Sequence, residues 1–451
     1  MSHIAEGDLA LYAFEPDSLP AGRRAEMERH LAECAECQAR HDFFAVTEED
    51  LGDLSTWERS VGSATYASLM EYGARIAEED REAEVLLQHL IGRPAELAWT
   101  PLASKKKFRT GGVVRKLCAA AHAIYESDPL AALTLAEAAV SVAEVIPDDT
   151  YPANAVDQLR ATAWKERANA QMLLGQCAEA HDSLDRAERF YRRIRNSGHG
   201  LSIVALVRAS LLLQQEQFEE AMKMAERAEL GLAHAGDNQR RMDALFLRAC
   251  VTYEAGRPDE AVPLFRQVIE YGENTKSVQW IGRGSYAIGN CEVDRGNIGE
   301  ASLQFHRALM IFREAGPEAH RIFTEWGIAR VVLHGGKPSE AVRRLRDVAA
   351  EFEKRSMVTF AALVGLDITE VLLALERPKE IAKLAQHLFS VFTKAGILTG
   401  ALSAFAYLKE AASAKRLTTT DVDFIRIFLR RAERQPSLRF SPPARSAEDS
   451  V

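Results

Sequence analysis

His30, Cys34 and Cys37 stand in the spacing His-x3-Cys-x2-Cys, inside the stretch Glu28-Arg29-His30-Leu31-Ala32-Glu33-Cys34-Ala35-Glu36-Cys37. At 3.6 residues per turn, offsets of 0, 4 and 7 place the three side chains on one helical face, close enough to grip one small ion. Two thiolates and an imidazole favour zinc, and a structural zinc takes four ligands. The fourth must come from elsewhere in the chain. His3 is the favoured donor, because ligands from well-separated segments tie helices together, whereas four from one helix would strain the tetrahedron. His41, four residues after Cys37, also points toward that face and competes with it. Such a zinc is either purely structural or a redox switch, in which oxidation of Cys34 or Cys37 to a disulfide ejects the metal. A catalytic zinc is disfavoured, since no Glu stands in a general-base motif and four protein ligands leave no open position.

These ligands have to be positioned by short helices. Ser18 followed by Pro20 is a helix-start signal, and an amphipathic run follows from about Ala21 to Cys34, with Leu9, Leu11, Tyr12 and Phe14 available to pack on it. So small a unit buries little apolar surface and needs a staple such as zinc. We delimit this module at residues 1–45. Residues 46–112 follow as an acidic connection, a helix from about Ala64 to Leu90, and a linker containing Pro94, Pro101, Lys105 to Lys107 and Gly111-Gly112.

At 451 residues the chain exceeds one ordinary core, and its wealth of Ala, Leu, Glu and Arg with 8% aromatics predicts an all-α fold built as an array. No apolar run approaches the roughly 18 residues that span a bilayer, and the N-terminus has no basic n-region followed by an apolar h-region, so a soluble cytoplasmic protein is expected, with no membrane contact. Cys118, Cys177, Cys250 and Cys291 fall singly at helical positions and read as packed thiols in a reducing compartment. Residues 1–60 hold fourteen Asp or Glu against five Arg, so the whole formal net charge of -9 resides there. An acidic module is ill suited to phosphate backbones, which argues against direct nucleic-acid binding, and its natural partner is a basic protein surface.

From residue 113 a repeat takes over. Aligned on a small residue, Ala132, Ala180, Ala221, Ala261, Ala301 and Ala341 fall in register, followed by Ile381, and from Ala221 onward they lie 40 apart. Twelve residues earlier stand Ala120, Ala168, Ala209, Ala249, Gly289 and Ala329, and turn glycines such as Gly175, Gly256, Gly296 and Gly336 fall between. Small residues at fixed offsets on two successive helices are what close helix-helix approach requires. This pattern resembles the tetratricopeptide repeat, most clearly at Trp164, Ala168, Gly175, Ala180 and Ala187, with a period near 40 instead of the family's usual 34. The resemblance implies that residues 113–412 stack as helical hairpins into a right-handed α-solenoid with a concave surface for a protein or peptide. A capping helix is expected within 413–435, from about Thr420 to Glu433, and a disordered tail over 436–451.

The N-terminal segment, with His3, Leu9-x2-Tyr12 and the helix through His30, Cys34 and Cys37, resembles the zinc-finger family found in bacterial anti-sigma factors. That resemblance implies a zinc held by His3, His30, Cys34 and Cys37, and a sigma factor as partner of the module. It covers only about residues 3–45. The leading expectation is thus a non-enzymatic regulator that binds a sigma factor or other basic protein through the module and a second protein or peptide through the solenoid. The alternatives are a scaffold whose zinc module is only structural, and a zinc-thiol redox sensor. Gly282-x-Gly284 with Gly289, and Gly335-Gly336-Lys337, read as packing and turn positions, not phosphate loops. The basic run Lys105, Lys106, Lys107, Arg109, Arg115 and Lys116 reads as a solvated linker. Arg426, Arg430, Arg431, Arg434 and Arg439 form a basic C-terminal stretch that could attract the acidic module.

Overall fold

Among the described residues, helix-capping groups, turn glycines and small packing residues punctuate the chain into 18 α-helices, with no strand. The computed structural model describes residues 3, 4, 12, 19–34, 37, 38, 63–91, 103–125, 127–151, 154–316, 318–355, 357–395, 399–434 and 438–443. The chain divides into two units, Met1–Arg81 and Glu82–Val451.

In the first unit, α1 (Ala21–Glu33) begins directly after Pro20, whose carbonyl accepts from the Arg23 and Arg24 amides at 2.9 and 3.1 Å. Pro there costs nothing, since the first amides of a helix have no internal partner. The helix stops at Cys34, which is extended (φ -122°, ψ 99°), while Cys37 and Gln38 are helical again, the Gln38 amide donating to the Cys34 carbonyl at 2.9 Å. The expectation of one uninterrupted helical face through all three ligands is therefore corrected: a straight helix strings its side chains along its axis, and the break at Cys34 lets Cys37 turn back. Met27, Leu31 and Cys37 form a small buried core, with Ile4, Tyr12, Leu19 and Cys34 packed against it. Leu9, Leu11 and Phe14 lie outside the described residues. The division between the units falls within α2 (Ser63–Ile91).

The second unit is a stack of helical hairpins. Their members are α3 (Gly111–Ile124) with α4 (Pro129–Glu144), α5 (Ala155–Leu173) with α6 (Cys177–Tyr191), α7 (Gly198–Gln214) with α8 (Phe218–His234), and α9 (Asn238–Glu254) with α10 (Pro258–Asn274). There follow α11 (Val278–Asp294) with α12 (Ile298–Ala315), α13 (Glu318–His334) with α14 (Pro338–Lys354), α15 (Val358–Ala374) with α16 (Pro378–Ala395), and finally α17 (Thr399–Ser413) and α18 (Thr419–Arg434). First helices begin at 198, 238, 278, 318 and 358, so the 40-residue period of the sequence is the period of the structure. The fold is an all-α, tetratricopeptide-like repeat solenoid.

The packing follows from the aligned small residues. Ala132, Ala180, Ala221, Ala261, Ala301 and Ala341 are fully buried, as are Ala168, Ala209, Ala249 and Ala329, while Ala120 in the first hairpin is only half-buried. Gly289 on α11 and Gly327 on α13 make room for the buried ring of Phe305 on α12. Between the two helices of their hairpins, Gly256, Gly296 and Gly336 hold φ between 74° and 78°, the left-handed conformation that closes a helix C-terminus. Glu216 and Glu376, one period away, occupy the same turn at φ 61° and 53°.

Two boundaries differ from the sequence reading. Gly111 and Gly112 open α3 instead of lying in a linker: Thr110 caps the helix by accepting from the Val113 amide, and the Gly111 amide donates to Tyr151 Oη at 2.6 Å. At the other end, α18 is capped by Thr418, whose Oγ1 accepts from the Asp421 amide at 3.2 Å while Asp421 accepts from the Thr418 amide at 2.9 Å. The tail expected to be disordered lays Leu438 and Phe440 against the core of the last hairpins, because two apolar side chains at alternate positions find cover there. Residues 444–451 lie outside the described residues.

Candidate metal centre and repeat surface

Four potential ligand atoms, one each from His3, His30, Cys34 and Cys37, lie within 4.8 Å of one another. His3 Nδ1 is 3.5 Å from Cys34 Sγ and 3.5 Å from Cys37 Sγ. A tetrahedral ion with Zn-N near 2.0–2.1 Å and Zn-S near 2.3 Å requires an N···S edge of about 3.5 Å, so this spacing is that of a ligand pair. The two sulfurs come from either side of the chain break after α1, the imidazole of His30 from the last turn of the helix, and His3 from the segment before it. His30 Nε2 is buried and has no hydrogen-bond partner. A buried polar atom left without a partner is costly, and a metal bond would satisfy it. The donor set is soft and closed at four, which fits zinc in a structural role. His41 lies outside the described residues.

The remaining cysteines are thiols embedded in the repeats. Cys118, Cys177, Cys250 and Cys291 form no disulfide, and burial pushes the Cys118 thiol up to about 12, which makes it a poor nucleophile. The glycines read as packing positions are so placed: an added Cβ would stand 2.8 Å from Phe312 at Gly282, 2.6 Å from Ile269 at Gly284 and 2.7 Å from Phe305 at Gly289. The basic run before the first hairpin is engaged locally, with Arg109 donating to the Ala103 and Ser104 carbonyls and Lys116 paired with Glu84 at 2.6 Å. Arg426, part of the basic C-terminal stretch, is committed within its own unit to Asp367 at 2.6 Å and to Glu370. Among the described residues no helix is long and apolar enough to cross a membrane.

The repeats carry a second set of polar side chains, which no short motif marks. Tyr253 donates to Asp294 at 2.7 Å, Trp326 Nε1 donates to Asp367 at 2.6 Å, and Arg283 reaches Asp243 at 3.8 Å. The pairs are 40 or 41 residues apart, so the partners sit at the same or the next position of successive first helices. Arg330 approaches Asp294 at 3.6 Å, and Arg283 stacks over Phe246 and Trp280 with 4.3 and 4.8 Å to the ring centroids. Near the start of the array, buried Glu166 meets His122 at 3.2 Å, Asn169 at 3.0 Å and Lys165. Burial alone would raise its carboxyl, but the hydrogen bond from His122 and the charge of Lys165 hold it down at about 2. The signal that could have found these residues is complementary polar or aromatic identity about one period apart.

No family model and no curated protein matches the chain. Among solved structures it is similar to aspartyl phosphate phosphatase F from Bacillus subtilis, at 15% identity and a TM-score of 0.48, over 88% of this chain and 95% of that one. It is also similar to a Rap protein complexed with competence and sporulation factor, at 14% identity and a TM-score of 0.44, over 71% and 100% of the two chains. A tetratricopeptide repeat protein from Parabacteroides merdae matches at 18% identity and a TM-score of 0.41, over 66% and 98%. What these names describe belongs to those proteins.

Proposed function

We propose that the chain is a non-enzymatic scaffold that binds a protein or peptide along the first helices of its repeats, with an N-terminal module stapled by zinc. The observation that carries the reading is the set of solvent-accessible polar and aromatic side chains on the first helices, among them Arg283, Asp294 and Arg330, each in contact with a partner on the neighbouring first helix. Side chains already in contact across the repeats have less freedom to lose on binding, which favours such a face as a ligand surface. In the module, His3, His30, Cys34 and Cys37 would hold the metal, and zinc bound there would couple the folding of this small core to metal binding. Met27 and Leu31 supply the apolar side of that core.

The test has two arms on the full-length chain. Native mass spectrometry is expected to find one zinc per chain, lost in Cys37→Ser and weakened in His3→Ala. Partner binding, measured by cross-linking and affinity capture, is expected to survive Cys37→Ser and to be lost in Arg283→Glu with Arg330→Glu. Binding that is indifferent to both arginines would refute the scaffold face.

A second reading is favoured by the N-terminal acidity together with the four assembled ligands: the module binds the basic surface of a sigma factor. Here the pattern reverses. A purified sigma factor would lose binding on Cys37→Ser and keep it on the arginine substitutions.

A further inference from the structure

Past α18 the chain returns at residues 438–443 and lies against the last hairpin. Phe440 sits among three rings, with centroid distances of 5.8 Å to Tyr407, 5.9 Å to Phe424 and 5.1 Å to Phe428, edge-on to the last two. Leu438 packs on the same core, and Arg439 between them is exposed. One side chain in, one out and one in is the alternation of extended chain. The floor of the site is Gly400, which is buried: a Cβ there would stand 2.5 Å from the Leu438 carbonyl oxygen and 2.8 Å from Phe428 Cζ. Only a residue without a side chain lets the strap's main chain come this close, so the site is shaped to a backbone and two side chains.

The strap is held far less firmly than the helix before it. Val422, Ile425 and Leu429 of α18 are fully buried, whereas Leu438 and Phe440 are half-buried and Ser441 and Pro442 are exposed. We propose that the pocket lined by Gly400, Tyr407, Phe424 and Phe428 is a docking site for an extended Leu-x-Phe segment, and that residues 438–443 are its intramolecular occupant, replaced when a partner presents the same two side chains. Tethering explains why the pocket is filled in the isolated chain. A ligand joined by a short connection acts at an effective concentration in the millimolar range, which a free peptide at micromolar concentration does not match. A partner already anchored elsewhere on the repeats would compete on equal terms. This site is independent of the first-helix face proposed above.

The experiment uses the full-length chain and a fluorescent peptide of residues 436–443 of this sequence. By anisotropy, the Phe440→Ala chain is expected to bind the peptide at least ten-fold more tightly than the wild type. A peptide carrying Phe440→Ala is expected not to bind, and adding Gly400→Ala to the Phe440→Ala chain should abolish binding. Equal affinity for wild type and Phe440→Ala, or no binding by a Phe440→Ala chain with wild-type circular dichroism, overturns the proposal. Amide exchange of the wild type tests it without any variant: residues 438–441 should exchange at least ten-fold faster than the core of α18, and equal protection would make the strap a permanent part of the fold.

Discussion

The ring of Phe305 is clamped between two glycines on neighbouring first helices, and this makes Gly327→Ala a sharp test of the packing. A Cβ at Gly327 would stand 2.5 Å from Phe305 Cε1 and Cζ, and one at Gly289 would stand 2.7 Å from Cδ1 and Cε1. Carbon atoms in good contact sit about 3.5–4.0 Å apart, so the new methyl overlaps the ring by about 1 Å. Phe305 is fully buried and has Gly289 on its other side, leaving the ring nowhere to go. Overpacking of this kind costs about 1–3 kcal/mol, and the helix propensity gained by Gly→Ala returns about 1 kcal/mol. A net loss of up to about 2 kcal/mol is expected. Repeat arrays do not unfold as one cooperative unit, so the assay is native-state amide exchange of α12 and α13. In a Phe305→Leu background the obstructing ring is gone, and Gly327→Ala should become neutral or stabilising, giving a coupling of about 1–3 kcal/mol between the two sites. If Gly327→Ala has the same effect in both backgrounds, the clamp is not what the glycine is for.

Glu376 sits exposed in a left-handed turn held by Gly256, Gly296 and Gly336 in three other repeats, and Glu376→Gly should stabilise the hairpin of α15 and α16 by about 0.5–1 kcal/mol, read as slower exchange at those helix ends; slower unfolding elsewhere only would contradict it. Removing metal with a strong chelator should expose the amides of residues 19–34 to exchange and leave α7 to α16 unchanged, whereas loss of protection in the repeats would contradict the division into two units. Glu166 is held at about 2, below the ordinary carboxylate value, so its contribution to stability is complete above about pH 4.5 and is lost as pH falls toward 2. Glu166→Gln should flatten that acid limb for α3 and α5, and an unchanged limb would show that another carboxylate governs it.

The array was legible in the sequence because its cause is local and repeated. Ala221, Ala261, Ala301 and Ala341 recur at 40-residue steps since every hairpin faces the same demand for close helix approach, and the turn glycines recur for the same reason. His30, Cys34 and Cys37 were legible because soft ligands at short spacing are rare by chance, and His3 could be nominated from the chemistry of a fourth ligand. The interruption of the helix at Cys34 was not visible, because a pattern of offsets 0, 4 and 7 suits an intact helix equally well. Nor was the placement of Gly111 and Gly112, whose helix is supported by Tyr151 from 40 residues away.

The residue types and their periods determined an all-helical array of hairpins with a 40-residue step, and a soft-ligand cluster at His30, Cys34 and Cys37 for which His3 and His41 were the candidate fourth ligands. Only the tertiary structure decided that Tyr253 meets Asp294, that Trp326 meets Asp367, that Gly289 and Gly327 close on one ring, and that the Phe440 side chain fills a pocket floored by Gly400. Helix, turn and ligand signals are written by neighbours within one or two turns. These pairings depend on which surface of one repeat the next repeat covers, and that is set by the stacking of the whole array.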